Sequence, residues 1–370
     1  MRIGFDAKRA YHNNTGLGNY SRDLIRGMAH LYREDEYVLF TPKTSTNPRS
    51  AFVNYFPNVT TVTPRSWIDK SAKSYWRSMN LEKELINQQI DIYHGLSQEI
   101  PKRKGGKLRY VVTIHDLIFL RYPETYKAID RKIYDKKFRY ATEQADAVIA
   151  ISEQTKSDLI DFYQADESKI RVVYQSCHDQ FKKTASEETK AAIKKKYSLP
   201  DQYVLYVGSI EQRKNLATLV EAMAKIDLPL ICVGRKTAYF KKVMEVVKRY
   251  GMEQRFFVFD NLPFDTLPSF YQMATAFCYP SIFEGFGIPI IEAMYSNIPV
   301  ITSKGGVFGE TGGEAAWYVD PLNGDKLAAT LSTVLESDTT QRVKDGYRFV
   351  QKFSTENFIH GVRNVYNELI

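Results

Sequence analysis

The chain has 370 residues, which at about 150 residues per domain predicts two domains, or at most three. Hydrophobic residues make up 44% of it and charged residues 25%, and these proportions exclude wholesale disorder and fibrous repeats. Lysine and arginine number 51 against 43 aspartates and glutamates, a formal net charge of +8. This excess favours anionic partners: nucleotides, phosphates, acidic lipid surfaces or nucleic acid.

The cysteines and the hydropathy pattern bear on the compartment. Cys177, Cys232 and Cys278 lie far apart without a CxxC motif, so neither a disulfide framework nor a zinc module is indicated. The first ten residues lack the long apolar core of a signal peptide, and no apolar run approaches the ~18 residues that span a bilayer. We therefore expect a cytoplasmic protein.

Short β-branched and aromatic runs alternate with helix-period segments along the whole chain. In the first half, strands are predicted at 2–6, 37–40, 59–63, 91–94, 109–115, 147–152 and 170–174. Helices between them are predicted at 18–32, 73–88, 126–144 and 153–163. In the second half, strands are predicted at 203–208, 230–234, 256–259, 276–279, 300–303 and 316–319. The helices there are predicted at 215–226, 238–250, 267–273 and 289–296.

Continuous apolar strands between amphipathic helices indicate parallel sheets that are covered on both faces. We therefore predict an α/β fold of two Rossmann-like, doubly wound domains that face each other across a cleft. Their predicted bounds are 1–178 and 179–354, and a final helix at 355–370 is expected to pack back on the first domain. The polar segment 176–200 is interpreted as a linker with a short surface helix.

Segment 279–294 (YPSIFEGFGIPIIEAM) carries the strongest functional pattern. A predicted strand ends at Tyr279, a glycine-containing turn follows, and Pro289 stands where a helix begins. The first amides of a helix have no partners within it, and glycines let the backbone approach a ligand closely. The pattern therefore predicts an anion site, suited to phosphate through the helix dipole.

Two carboxylates flank this predicted anion site, Glu284 in the turn and Glu292 in the helix. Carboxylates repel phosphate, whereas sugar hydroxyls donate hydrogen bonds to them. Taken singly, each glutamate is more typical of a surface loop or of an acid near a helix N-terminus. As a pair in a strand–turn–helix context, they indicate a sugar-binding function.

A second candidate segment, 207–215 (VGSIEQRKN), opens the second half of the chain. The predicted strand ends at Gly208, and Arg213 and Lys214 stand just ahead of a helix. Most Arg-Lys pairs are solvated cations that flank a helix, but cations at the carboxyl end of a first strand can neutralise a diphosphate. The position therefore favours a functional role.

The first half offers two weaker candidates. His115 stands at the carboxyl end of an apolar strand, and a histidine there is a candidate although most single histidines are structural. Gly16 belongs to a loop (NTGLGNY, 14–20) that matches half of a GxGxxG fingerprint. Because this loop begins too far past Asp6 for a dinucleotide signature, a flexible glycine loop beside the expected cleft is the better interpretation.

Two stretches combine basic and aromatic residues. Segment 65–83 holds Trp67, Tyr75 and Trp76 among several cations that include Lys70 and Lys73, and segment 121–140 has seven basic and three acidic residues. Such stretches can contact anionic lipid or an anionic acceptor, but they are more typical of a solvated amphipathic face, which we favour. Neither resembles a nucleic-acid module, so no nucleic-acid partner is expected.

Together these motifs resemble the retaining glycosyltransferases of family 4 (glycosyl transferases group 1), which have the GT-B fold. The similarity covers nearly the whole chain and includes 14–20, 115–116, 151–156, 207–215, 280–294 and 298–300. The spacing of Glu284 and Glu292 within EGFGIP is its most specific part. One departure is that the family often has Leu-Pro-Glu after the Pro-Val strand, where this chain has GGVFGE at 305–310.

The resemblance implies a role for each candidate in the second half. Glu284 would hold hydroxyls of the donor sugar, and Glu292 would hold the ribose hydroxyls of the nucleotide. Arg213 and Lys214 would clamp the diphosphate. The glycine and backbone positions implied in nucleotide binding are Gly208, Phe286, Gly287 and Ile288.

In the first half, His115 would lie beside the transferred sugar and Gly16 near the phosphates and the acceptor. The family's expected route is departure and attack on one face of the sugar, with retention of configuration. No Asp-x-Asp motif occurs in the chain, so no metal and no resident cofactor are expected. The partners expected are a nucleotide-sugar donor, with GDP-mannose favoured over UDP sugars, and a saccharide or lipid-linked acceptor. Peripheral contact with an anionic membrane stays open.

Other functions also stay open from the residues. A glycoside hydrolase would use Glu284 and Glu292 as its carboxylate pair, and a nucleotide-sugar epimerase shares the two-domain architecture. A nucleic-acid-binding protein would use the net charge of +8, and a sensor of sugar nucleotides would bind without turnover.

Overall fold

A computed structural model describes residues 1–45 and 48–370. The chain forms two compact units: unit 1 comprises Met1–Ser176 and Thr355–Ile370, and unit 2 comprises Cys177–Ser354. Each unit contains one sheet whose neighbouring strands all pair in parallel, with helices between most successive strands. The predicted α/β class with two Rossmann-like sheets is thereby confirmed.

Unit 1 has a seven-stranded sheet with the order β3-β2-β1-β4-β5-β6-β7. Its strands are β1 (Arg2–Asp6), β2 (Glu36–Phe40), β3 (Val59–Val62), β4 (Ile92–Gly95), β5 (Arg109–Ile114), β6 (Ala147–Ala150) and β7 (Ile170–Val172). Its helices are α1 (Lys8–His12), α2 (Gly16–Leu31), α3 (Trp67–Ser71), α4 (Lys73–Tyr75), α5 (Leu81–Asn87), α6 (Ile118–Arg121), α7 (Ala128–Gln144), α8 (Glu153–Tyr163) and α17 (Thr355–Asn367). Short 3-10 helices lie at Pro48–Tyr55, Pro123–Thr125 and Glu167–Lys169, and a π-helical turn at Trp76–Asn80.

Unit 2 has a six-stranded sheet with the order β10-β9-β8-β11-β12-β13. Its strands are β8 (Val204–Val207), β9 (Leu230–Val233), β10 (Phe256–Phe259), β11 (Ala276–Tyr279), β12 (Val300–Ser303) and β13 (Trp317–Val319). Its helices are α9 (Glu187–Tyr197), α10 (Leu216–Met223), α11 (Phe240–Arg249), α12 (Leu267–Gln272), α13 (Ile288–Tyr295), α14 (Phe308–Gly312), α15 (Gly324–Glu336) and α16 (Thr340–Val350). Short 3-10 helices lie at Asp179–Lys182, Gln212–Lys214 and Gln351–Phe353.

Helix α17 completes unit 1 by packing on α2. A Cβ on Gly27 would lie 2.5 Å from the side chain of Ile359, so the glycine allows the two helices to approach closely. The fully buried Tyr366 hydroxyl lies 2.6 Å from Nδ1 of His94 on β4, and Nε2 of His94 lies 2.8 Å from the Thr113 hydroxyl on β5. The final helix is therefore bonded to the centre of the sheet.

Two parts of the chain differ from the sequence-based expectation. The predicted helix at 73–88 is interrupted by the π-helical turn, which begins at the buried Trp76. The interpretation of 176–200 as a linker with a short surface helix holds only in part. Helix α9 has no buried residue, as expected, but Phe181 ahead of it is fully buried against Phe264 and Tyr271. The side-chain amide of Gln272 also bonds this segment, donating to the carbonyl of Lys183 and accepting from the amide of Ala185.

Candidate active site

The strand order of unit 2 brings the two candidate segments of the second half together. Strands β8 and β11 are neighbours at the centre of the sheet. From β8 to β10 successive strands are added on one side, and from β11 to β13 they are added on the other. In open parallel sheets, ligands bind beyond the carboxyl ends of the strands at this point. The loop after β8 carries Arg213 and Lys214, and the loop after β11 carries Glu284. The amide of Ile282 joins the two loops by donating to the carbonyl of Arg213 at 2.8 Å.

Glu284 is the centre of a buried cluster of polar groups. Its Oε1 lies 2.8 Å from the Arg213 guanidinium and 3.0 Å from the Lys214 ammonium. The same oxygen accepts hydrogen bonds from the hydroxyls of Tyr279 at 2.8 Å and Ser281 at 2.7 Å. All four contacts meet at Oε1, and none of them uses Oε2. Oε2 is therefore able to accept hydrogen bonds from the hydroxyl groups of a ligand.

The surroundings of Glu284 keep it ionised. Burial alone raises the pKa of this carboxyl, but the charges of Arg213 and Lys214 and the bonds from Ser281 and Tyr279 lower it to about 2. Glu284 thus carries a full negative charge at physiological pH. The two cations are in turn held at defined positions by this carboxylate.

The two cations have further anchors. Lys214 donates to the Tyr279 hydroxyl at 2.6 Å, and Arg213 donates to the carbonyl of Phe283. Asn215 adopts a left-handed backbone conformation with φ of 57° between the short helix 212–214 and α10. Asparagine tolerates this conformation better than most residues. The sequence RKN thus places both cations at a sharp change of direction.

Glycines at the ends of β8 and β9 make room for this arrangement. A Cβ on Gly208 would lie 3.2 Å from Cδ of Lys214, so the lysine stem rests directly against the Gly208 backbone. A Cβ on Gly234 would lie 1.9 Å from the carbonyl oxygen of Gly208. Both glycines have positive φ, +154° and +157°. The loop after β8 therefore depends on two positions without side chains.

The loop after β11 ends at the N-terminus of α13. Gly287 precedes the helix with φ of +106°, a left-handed conformation that favours glycine. Ile288 is the first helical residue, so its amide has no acceptor within the helix, and Pro289 has no amide to leave unpaired. Phe286 is buried, and its ring contacts the ring of Phe353 edge to face. The turn thus presents backbone amides in the way that an anion site requires.

Glu292 lies on α13 in different surroundings. It is 8% exposed, and its Oε2 accepts a hydrogen bond from the Tyr271 hydroxyl at 2.8 Å. Burial raises the pKa of Glu292 to about 7, although the bond from Tyr271 lowers it in part. The two glutamates of the motif therefore differ in charge near neutral pH: Glu284 is ionised and Glu292 is half protonated.

His115 and Gly16 belong to unit 1. His115 follows β5 and is buried, and its Nε2 lies 2.9 Å from the carbonyl oxygen of Leu96. Since a carbonyl only accepts, Nε2 carries the proton and Nδ1 is an acceptor. Burial lowers the pKa of His115 to about 4, so the ring is neutral. Its ring is nearly perpendicular to that of Tyr20, with an interplanar angle of 86° and centroids 4.6 Å apart.

Gly16 is the exposed first residue of α2, with open space where a Cβ would lie. Gly18, by contrast, cannot be replaced without a steric clash, because a Cβ there would lie 1.8 Å from the carbonyl oxygen of Asn13. The side chain of Asn13 accepts bonds from the amides of Thr15 and Gly18. The loop is therefore a compact turn that begins α2. Helix α1 lies between β1 and this loop, whereas a dinucleotide fingerprint follows its strand directly.

Three residues of the clusters were not singled out from the sequence. Tyr279 and Ser281 lie inside the motif, and their hydroxyls could have been suspected because they flank the glutamate turn. Tyr271 gives no such signal, because it is 21 positions away from Glu292 and meets it only through the packing of α12 on α13. Its ring continues through Phe277 to Tyr279, which joins the two glutamate environments by aromatic contacts.

Two general properties of the described residues complete the description of the site. They contain no group of three or more His, Cys, Asp or Glu side chains placed to hold a metal ion. Among the helices described, none has both the length and the apolar character required to cross a bilayer.

Comparisons with known proteins match both units. Residues 188–348 match the family model of glycosyl transferases group 1, and residues 14–178 match that of glycosyltransferase family 4. The chain is 26% identical over 398 residues to O-antigen chain mannosyltransferase B of Escherichia coli, with all of both chains covered. It is 30% identical over 212 residues to the O-antigen chain mannosyltransferase RfbU of Salmonella typhimurium, covering 57% of this chain and 56% of that one.

A solved structure shows the same fold over the full length. HepE of Anabaena in complex with UDP-glucose superposes with a TM-score of 0.77 at 16% sequence identity, and 100% of each chain is covered. The family-4 model matches almost entirely unit 1, the group 1 model matches within unit 2, and together they cover most of the chain. The chain therefore belongs to the family-4 glycosyltransferases (glycosyl transferases group 1) and has the GT-B fold.

Proposed function

We propose that this glycosyltransferase moves a mannosyl group from GDP-mannose to a saccharide or lipid-linked acceptor, with retention of configuration, in the synthesis of a surface polysaccharide. The observation that carries the proposal is the convergence of Arg213 and Lys214 on one oxygen of Glu284 beside the start of α13. The choice of mannose is supported by the relatives, which are named as O-antigen chain mannosyltransferases.

The charges of the cluster suit the departure of a nucleoside diphosphate. Cleavage of the bond between the anomeric carbon and the diphosphate oxygen builds negative charge on the leaving group. Arg213, Lys214 and the amide of Ile288 would stabilise that charge without assistance from a metal ion. Groups that are already oriented before the reaction usually contribute the largest part of such stabilisation.

The remaining polar atoms suit the sugar. Oε2 of Glu284 would accept hydroxyls of the donor mannose while Oε1 keeps the two cations in place. In unit 1, Nδ1 of His115 is able to accept a hydrogen bond from a hydroxyl group, because the Nε2 proton is committed to the carbonyl of Leu96. Glu292 would accept the ribose hydroxyls of the nucleotide.

The proposed transfer needs no covalent intermediate on the protein. The bond from the anomeric carbon to the diphosphate breaks, and the acceptor oxygen forms its bond to the same face of that carbon. The acceptor proton passes to an oxygen of the leaving diphosphate. The configuration at the anomeric carbon is therefore retained.

Nucleotide binding is expected to release protons near pH 7. Glu292 has a pKa of about 7 in the empty protein, and ribose hydroxyls that donate to the carboxylate would favour its ionised form and lower that pKa. At pH 7 about half of the molecules would lose a proton on binding, and affinity should fall as the pH falls below 7. Calorimetry in buffers of different ionisation enthalpy measures this release directly. In Glu292→Gln the buffer dependence should disappear, and a wild-type enthalpy that is the same in every buffer would contradict the role of Glu292.

The first test of the proposed function is a calorimetric titration with GDP, UDP, ADP and dTDP, without added metal. We expect micromolar affinity for GDP and much weaker binding of the other three. Radiolabelled GDP-mannose should then transfer label to a saccharide acceptor, and NMR of the product should show the anomeric configuration of the donor. Selective binding of UDP would overturn the proposed donor alone.

Three other outcomes would overturn the transferase itself. Absence of binding by any nucleotide, with or without magnesium, would remove the donor site. Rapid hydrolysis of a nitrophenyl mannoside would favour a glycoside hydrolase, and turnover of the nucleotide sugar without acceptor into its epimer would favour an epimerase.

A further inference from the structure

Unit 1 contains a cavity of about 560 Å³ that none of the roles above uses. It lies among three elements: the π-helical turn, the loop that follows β4, and helix α7. The amide of Lys102 in the loop donates to the carbonyl of Ser78 in the turn at 2.7 Å, which holds these two walls together. The volume falls within the range of small-molecule sites.

The wall of the cavity is largely apolar and incompletely covered. Met79, Ile100, Ile133 and Tyr140 line it. Ile133 is 46% exposed although it is a large hydrophobic side chain. The opposite face of α7 is occupied by packing within the unit, where Phe138 contacts Phe119. The exposed apolar surface of Ile133 is therefore not a by-product of a loosely attached helix.

The cavity is bordered by cations. Lys102, Lys136 and Lys137 line it, with Glu99 as the one carboxylate. Lys137 pairs with Glu99 at 3.1 Å, whereas Lys102 and Lys136 are exposed and have no ion pair within the described part of the chain. One face of α7 provides both apolar side chains and positive charge to the cavity, because the spacing i, i+3, i+4 and i+7 places these residues on the same side of the helix: Ile133, Lys136, Lys137 and Tyr140. The cavity thus combines an apolar interior with excess positive charge at its edge.

We propose that this cavity binds a single anionic amphiphile, with a hydrocarbon chain against Ile133 and Met79 and a phosphate head beside Lys102 and Lys136. The charge at the edge argues against a neutral apolar ligand, and the apolar wall argues against a free phosphate or a nucleotide. The inference deepens the proposed function, on which it rests: the acceptor is then a glycan carried on a lipid phosphate. The side chains of Lys70 and Lys73 lie outside what the structure describes, and the proposal does not involve them.

The test uses dodecyl phosphate below the concentration at which it forms micelles. Dodecyl maltoside supplies the same chain with a neutral head, and inorganic phosphate supplies the head alone. Calorimetry with the full-length protein should show one molecule of dodecyl phosphate bound at least about 10-fold more tightly than either comparison compound. Equal binding of dodecyl phosphate and dodecyl maltoside would overturn the proposal.

Variants assign the binding to the cavity. Lys136→Glu should weaken the binding of dodecyl phosphate about 10-fold, because it reverses a charge beside the phosphate head. Ile133→Gln should weaken this binding about 5-fold, because it removes apolar contact with the hydrocarbon chain. Both positions are exposed on α7, so the fold should tolerate them. Matched controls on α5 are Lys83→Glu and Ile86→Gln, which change an exposed lysine and an exposed isoleucine outside the cavity. The same loss in the controls would overturn the assignment.

Two further measurements separate the possible failures. The cavity variants should bind GDP with the same affinity as the wild type. If the wild type did not bind GDP at all, the proposed function would be overturned, but the amphiphile site would not. In transfer assays, Lys136→Glu should raise KM for an acceptor carried on an alkyl phosphate and leave KM for a free saccharide unchanged. Sedimentation with phosphatidylglycerol vesicles, without binding of monomeric dodecyl phosphate, would show that the surface contacts a bilayer and would overturn the single-molecule site.

Discussion

Replacing Glu284 with Gln is expected to reduce sugar transfer at least ~100-fold while GDP binds with equal or slightly higher affinity. In the proposed complex, Oε2 of the carboxylate accepts hydrogen bonds from sugar hydroxyls, and a neutral amide accepts such bonds more weakly. Arg213 and Lys214 lose their counter-charge in this variant, so both become more available to the diphosphate. Transfer of label from GDP-mannose and calorimetry with GDP measure the two effects separately.

The interpretation of this variant requires that it folds, because the change leaves two partly buried cations without their anion. GDP affinity serves as one check, and thermal unfolding as a second. Glu336→Gln, an exposed residue on α15, is the matched control and should transfer at the wild-type rate. Undiminished transfer by Glu284→Gln would remove Glu284 from the active site.

Replacing Lys214 with Ala should weaken both nucleotide binding and transfer. The ammonium group lies 3.0 Å from Glu284 and 2.6 Å from the Tyr279 hydroxyl, and we expect it to bind the diphosphate by charge-assisted hydrogen bonds. Loss of such a bond corresponds to about a 10- to 100-fold loss of affinity for GDP. Guanosine, which has no phosphate, should bind as before, and this difference identifies the diphosphate as the group that Lys214 contacts.

Two companion variants strengthen the Lys214 experiment. Gly208→Ala should reproduce part of the loss, because the new methyl group would press on the lysine stem 3.2 Å away. Lys225→Ala removes an exposed lysine that pairs with Asp325 on the same unit and should leave GDP affinity unchanged. Equal losses for GDP and guanosine in Lys214→Ala would show a structural disturbance and contradict the proposed contact.

The sheets could be predicted from sequence because buried parallel strands form short apolar runs between helices. All thirteen strands lie at predicted positions, and four of them, β1, β10, β11 and β12, have the predicted bounds. The helices were less predictable. Helices α15 and α16 were not predicted, and no local pattern distinguishes a π-helical turn at Trp76 from a continuous helix. In segment 176–200 the surface helix was predicted, but the burial of Phe181 was not, because it depends on Phe264 and Tyr271, which are distant in the sequence.

The candidate residues of unit 2 could be selected from sequence because glycine and proline mark the turn that holds them. What could not be predicted is the contact between them. Glu284 and Lys214 are 70 positions apart and meet only because β8 and β11 pair at the centre of the sheet. The difference in pKa between Glu284 and Glu292 likewise depends on groups brought together by folding: two cations for the first and a buried tyrosine for the second.

Helix α17 also has a consequence for biosynthesis. Unit 2 is a continuous segment, whereas unit 1 needs the helix that begins at Thr355 and is synthesised after all of unit 2. Until then the Gly27 face of α2 is uncovered, and the imidazole of His94 lacks its bond to Tyr366. The unit that is synthesised first is thus completed last, by a segment that lies beyond the whole of the other unit in the sequence.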